Sequence, residues 1–180
     1  MTRLIFVVFG LVALGLLDGC ATPARVDQMT ATSPVAPVAA VPDALKGNIA
    51  IKDVTGGKET NPMWTSQVGT AEFEAALEAS LRNAGLLQPN RQAGRFGLIA
   101  NLDKLEQPFI GIDMTVTATV TYTLVERSTS KTVWQKTLAT PYTAKFGDAL
   151  FAVERLKLAN EGAARANISA LIGELATLRL

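Results

Sequence analysis

The sequence predicts a two-layer α+β sandwich, a mainly antiparallel sheet of about four strands with two helices packed on one face, in the order β-α-β-β-β-α. Three stretches carry that prediction. "GIDMTVTATVTYTLVE" alternates apolar residues with Asp113 and a row of threonines, the period-two signature of a strand with one buried and one wet face. "TAEFEAALEASLRNAGLL" repeats apolar residues at three- and four-residue spacing, as does the C-terminal segment, so two helices each present one apolar stripe to a core.

The chain opens with Arg3 and an unbroken apolar or glycine run from Leu4 to Leu17, closed by Asp18. That run has the length of a secretory h-region and falls short of the roughly 20 apolar residues a membrane span needs. Residues 1–19 are therefore expected to be a signal peptide. Residues 20–44, "CATPARVDQMTATSPVAPVAAVPDA", show neither helical nor strand periodicity and read as a flexible Ala/Pro/Thr-rich tether, leaving 45–180 as a single domain.

Within that domain, "KGNIAIKDVTGG" places Ile49 and Ile51 on one face of a first strand that Gly56 and Gly57 end. The Gly-Gly-Lys at 56–58 lacks the glycine and the hydroxyl residue that a phosphate loop requires, so it is a turn. The first helix follows, with Thr70 as its cap, Glu72 and Glu74 in its first turn, a stripe of Phe73, Leu77, Leu81 and Ala84, and Gly85 as its stop. In "RFGLIANLDKLEQPF" the alternation of Phe96, Leu98, Ala100 and Leu102 makes a second strand, ended by Pro108. The third strand alternates Ile112, Met114, Val116, Ala118, Val120, Tyr122 and Leu124 against threonines at 115, 117, 119, 121 and 123. The turn "ERSTSK" makes a hairpin with a fourth strand over 131–146, in which Val133 and Trp134 compete for the inner face. A long helix then runs from Asp148, its expected cap, to the C-terminus on a stripe of Val153, Leu156, Ala163, Ala164, Ile168, Leu171, Leu175 and Leu178. Gly162 interrupts it at about 1 kcal/mol relative to alanine, which a close approach to the sheet would justify.

Composition removes whole classes of activity. With 17 Lys and Arg against 16 Asp and Glu, and neither sign in a block, there is no electrostatic footprint for nucleic acid. The chain has no histidine and one cysteine, which excludes Ser-His-Asp and Cys-His catalysis and any zinc or iron–sulfur ligand set; no cofactor or metal site is expected. Stability must come from packing, since Cys20 has no partner for a disulfide.

Two function classes remain. The first is a non-enzymatic envelope protein that binds a protein, glycan or lipid through loop residues, with Met63 and Trp64, Phe109, Ile110 and Gly111, and Tyr142 and Phe146 as candidate contacts. The second is an enzyme acting on envelope sugar or lipid through carboxylate pairs such as Asp103 with Glu106 or Asp113 with Asp148.

Leu17-Asp18-Gly19-Cys20 resembles a bacterial lipobox, differing at the charged Asp18. The resemblance implies cleavage before Cys20, a thioether-linked diacylglycerol and an amide-linked fatty acid such as palmitate on that cysteine. Ala21 resembles the residue that releases enterobacterial lipoproteins to the outer membrane, which implies a periplasm-facing outer-membrane anchor. With "FEAALEASLRNAGLL", "GIDMTVTATVTYTLVE" and "ERLKLANEGAARANISALIGEL", the whole chain is similar to small Gram-negative envelope lipoproteins of uncharacterised function, including the YajG type, and more loosely to α/β modules of lipopolysaccharide-assembly lipoproteins. That likeness implies an accessory or binding role, with no catalytic residue to carry across and no oligomeric state.

Overall fold

The computed structural model describes residues 21–32, 41–62 and 65–180. Its sheet has four strands in the order β1-β2-β3-β4, formed by Ile49–Gly56, Phe96–Glu106, Met114–Glu126 and Lys131–Ala144. β1 pairs with β2 in parallel, because the helix between them returns the chain to the same end; the other two pairs are antiparallel. With two of its three pairings antiparallel the sheet is mainly antiparallel, and the α+β class and the element order β-α-β-β-β-α are as the sequence predicts.

Three helices pack on one face. α1 is Val26–Met29, α2 is Thr70–Asn83 and α3 is Ala152–Thr177. α2 buries Phe73, Leu77 and Leu81 of the predicted stripe, with Ala76 and Ser80 beside them; Ala84 is its half-buried C-cap, and Gly85 with φ +68° turns the chain out of it. Its N-cap is Gly69; Thr70 is the first helical residue and donates its hydroxyl to the Gly56 carbonyl, tying the helix start to the end of β1. On β3, Met114, Val116, Ala118, Val120, Tyr122 and Leu124 are buried beneath the helices while the threonines line the opposite face. There Thr115 meets Thr143 and Thr121 meets Thr137, each pair at 2.8 Å between hydroxyls, a cross-strand ladder on a solvated surface.

The inner face of β4 is settled by register. Trp134 pairs with the buried Leu124, and Leu138 with Val120, so Trp134 turns toward the helices, while Val133, unpaired at a register shift, stays exposed. β4 continues through Pro141 to Ala144; as an edge strand it needs no N–H from proline on its open side.

Three expectations are corrected. Residues 21–32 lie on the domain: Ala24, Met29 and Ala31 belong to the main core, Met29 fully buried, and Val41 and Leu45 join them from beyond the undescribed gap. Two apolar residues, Val26 and Met29, in a polar, proline-containing context carry too little periodicity to declare a helix of a single turn. The long helix begins at Ala152 with Phe151 as its N-cap; Asp148 instead closes a separate 3₁₀ turn over Phe146–Asp148 by accepting the Lys145 N–H at 2.7 Å. Ile112 lies outside β3 and is 74% exposed, although it continues the strand's alternation in sequence.

Among the buried polar side chains of the described residues, Tyr122, Asn160 and Asn167 find partners, while Arg127 Nε and Arg155 Nε have none. Tyr122, whose phenol burial holds far above its usual range, donates to Asn167 Oδ1 at 3.0 Å, and Asn167 donates in turn to the Ala118 and Leu138 carbonyls, both at 2.9 Å. Asn160 donates to the Ser66 carbonyl and accepts from Gln107, both at 2.8 Å. Both asparagines are therefore structural clasps. Gly162 sits where a Cβ would overlap the ring of Tyr142, so the predicted close approach is made by an aromatic side chain of β4.

Candidate functional site

At one end of the sheet, where β2 leaves and β3 begins and where β4 passes into α3, two loops expose large apolar side chains. Phe109 is 99% exposed, Ile110 and Leu150 are each 84%, and Ile112, Phe146 and Phe151 are also exposed. Scattered apolar residues in water need no explanation, whereas six large ones on two adjoining loops form an exposed apolar patch, the feature that makes this end the candidate site.

Asp113 holds the two loops together. Its carboxylate accepts the Phe146 N–H at 2.9 Å and the Lys145 ammonium at 3.0 Å, and these contacts, the Lys145 hydrogen bond foremost, hold its carboxyl below the usual aspartate range. Arg155, buried in the first turns of α3, donates to the Ala149 and Leu150 carbonyls at 2.8 and 3.1 Å and lies 5.1 Å from the centre of the Phe146 ring. The loops are thus braced from below, and their apolar side chains remain in water because the brace is polar and backbone-directed.

Four of the seven candidate contacts, Phe109, Ile110, Gly111 and Phe146, come together at this end. A Cβ on Gly111 would lie 2.5 Å from the Asp113 carbonyl oxygen, so that residue shapes the loop. Tyr142 faces α3: its ring packs on Gly162, with the Arg165 guanidinium 5.7 Å from its centre, on the wall of a cleft of about 280 Å³ that Ala31 and Thr32 also line. Met63 and Trp64 lie outside the described residues, as do Cys20 and the residues before it. Sequence reading missed Ile112, Leu150 and Phe151. For Phe151 a signal existed, since it falls off the helical stripe that Val153 and Leu156 begin, whereas Leu150 continues that stripe at three-residue spacing and gave none.

The carboxylates proposed for chemistry are engaged elsewhere. Asp113 and Asp148 both serve Lys145, Asp103 accepts from Thr121 at 2.6 Å and from Asn101, and Glu106 pairs with Lys104 at 2.5 Å. A second cleft of about 300 Å³ lies beside the ends of β1 and β2, lined by Gly56, Gly57, Lys58, Gln67, Asp103 and Lys104 among others. Among the described residues no group of His, Cys, Asp and Glu side chains could hold a metal ion, and no helix is long and apolar enough to cross a membrane.

No protein-family model matches the chain, and no curated protein matches it. The fold recurs among solved structures. Protein XCC0632 from Xanthomonas campestris, of the family DUF330, superposes with a TM-score of 0.53 at 13% identity over 71% of this chain and 82% of that one. A PelC dodecamer from Paraburkholderia phytofirmans gives 0.48 at 18% identity, over 77% of this chain and 94% of that one. Lipoprotein GNA1162 from Neisseria meningitidis gives 0.41 at 13% identity, over 72% and 97%. At these identities the first likeness establishes a shared fold.

Proposed function

We propose that this chain is a lipid-anchored lipoprotein of the Gram-negative envelope, acylated at Cys20 and facing the periplasm from the outer membrane. It acts without catalysis, as a binding module whose working surface is the apolar end of its sheet. The observation that carries the reading is the pair of loops bearing Phe109, Ile110, Ile112, Phe146, Leu150 and Phe151, exposed yet fixed by Asp113 and Arg155. A loop with no partner has no reason to keep such side chains in water on a braced scaffold. The lipobox resemblance supplies the anchor, and the absence of histidine together with the engagement of the carboxylates argues against the enzymatic alternative.

Two readouts on material from the host's membrane fraction test this. The intact mass should equal residues 20–180 plus a diacylglycerol and one acyl chain, a signature lost in Cys20→Ala. Backbone amides over 109–112 and 146–151 should exchange more slowly in native envelope vesicles than in detergent solution. An unacylated mass, or equal exchange in both states, would overturn the proposal.

A further inference from the structure

We infer that the apolar end meets the bilayer itself, seating its exposed side chains in the interface of the same leaflet that receives the acyl chains of Cys20. The inference rests on the anchored-module reading above and names the occupant of that surface.

The path of the N-terminal chain is the ground for it. Arg165 of α3 donates to the Gln28 carbonyl, while Arg25 grips Glu161 through its backbone N–H at 2.9 Å and its guanidinium at 3.0 and 3.1 Å. The Thr22 carbonyl accepts from Ser66, whose own carbonyl accepts from Asn160, both at 2.8 Å. Read backwards from Gln28 to Thr22, the chain therefore descends α3 from residue 165 to 160, toward the end where α3 starts. Gln107, which donates to the Ser66 carbonyl at 2.9 Å, is two residues before Phe109. From Asn160 to Ala152 the helix axis covers roughly 12 Å, and the two residues from Thr22 back to Cys20 span at most roughly 7 Å.

The acyl chains thus start within reach of the plane from which Phe109 and Phe151 project. Ala21 is itself hydrogen-bonded to the domain, its N–H donating to the Pro62 carbonyl at 2.8 Å. A 24-residue tether would let the domain wander; a spacer of one residue holds this end against the membrane at high effective concentration. Interfacial attachment then scales with the apolar area immersed. Charge contributes little, since Lys145, Arg155 and Lys157 are balanced by Asp113, Asp148 and Glu154 at this end, so the contact is expected to be insensitive to salt.

The test places a photoreactive benzoylphenylalanine at Phe109, at Phe151 and, as a control at the opposite end of the sheet, at Val133, in the full chain expressed in its host. After irradiation of cells, acyl-lipid adducts on the first two positions at several-fold the yield of the third would support the inference. Adducts with another polypeptide, or with a second copy of this chain, would overturn it while leaving a binding surface at this end. Absence of any adduct at Phe109 and Phe151, with the probe intact and the chain acylated, would overturn both readings.

Discussion

Gly162 stands where helix propensity and contact conflict, and contact prevails. The ring of Tyr142 occupies the space a Cβ would take, so Gly162→Ala must displace that ring or lift α3 from β4. Overpacking of this kind outweighs the gain in helix propensity, and the variant should lose about 1–3 kcal/mol in equilibrium urea unfolding. The sequence announced the conflict, because a glycine in the middle of a long apolar helix demands a reason, but it could not say that Tyr142 was the neighbour. Asp113 gives a prediction of a different kind. Its carboxyl titrates below its unfolded value because Lys145 and the Phe146 N–H favour the charged form, so the clamp is complete above the ordinary carboxylate range and is lost only as pH falls through the depressed value. The protection factor of the Phe146 amide, its exchange rate by NMR taken relative to the intrinsic rate at each pH, should therefore be constant above the ordinary carboxylate range and fall only below about pH 4; a fall beginning near neutrality would contradict the clamp.

Among elements, the helices and strands with long periodic faces were legible and the short ones were not. β3 and α2 each repeat their pattern through many residues, and burial follows that pattern almost without exception. α1 offers a single turn and gains its place from tertiary contacts alone. Met29 is fully buried beside α2 and α3, and the Arg25–Glu161 pair buries the carboxylate nearly completely, with 2% of its side chain exposed. Met29→Ala should accordingly cost about 2–5 kcal/mol by urea unfolding, a loss that a free tether would not show. Arg25→Ala should cost about 2–3 kcal/mol, since a buried carboxylate loses its charged donor while the guanidinium it replaces was half in water. The start of α3 was misplaced for a related reason: Asp148 is a good capping residue, but its carboxylate is used by the Lys145 N–H in a turn that only the meeting of two loops creates.

For the whole molecule, the proposed contact surface lies apart from the core that stabilises the fold. Replacing Phe109 and Ile110 together by serine removes two side chains that are almost entirely in solvent, so the unfolding midpoint should stay within about 0.5 kcal/mol of the parent. The same variant should lose the envelope-dependent amide protection of residues 146–151, which an unfolding defect alone would not produce without a shifted midpoint.

By itself the sequence determined the class of the fold, the order of elements along the chain, the faces of the long elements and the exclusion of histidine- or disulfide-based chemistry, because each of these follows from local periodicity or from composition. It also placed a cysteine behind an unbroken apolar run, from which the anchor is proposed. Only the tertiary structure decided that residues 21–32 join the core, that Trp134 rather than Val133 faces inward, and that Ile112, Leu150 and Phe151 stand beside Phe109 and Phe146 at one end. Those outcomes depend on contacts between residues far apart in the chain, as from Arg25 to Glu161 or Asp113 to Phe146, and no pattern within a short window encodes which distant partner will be there.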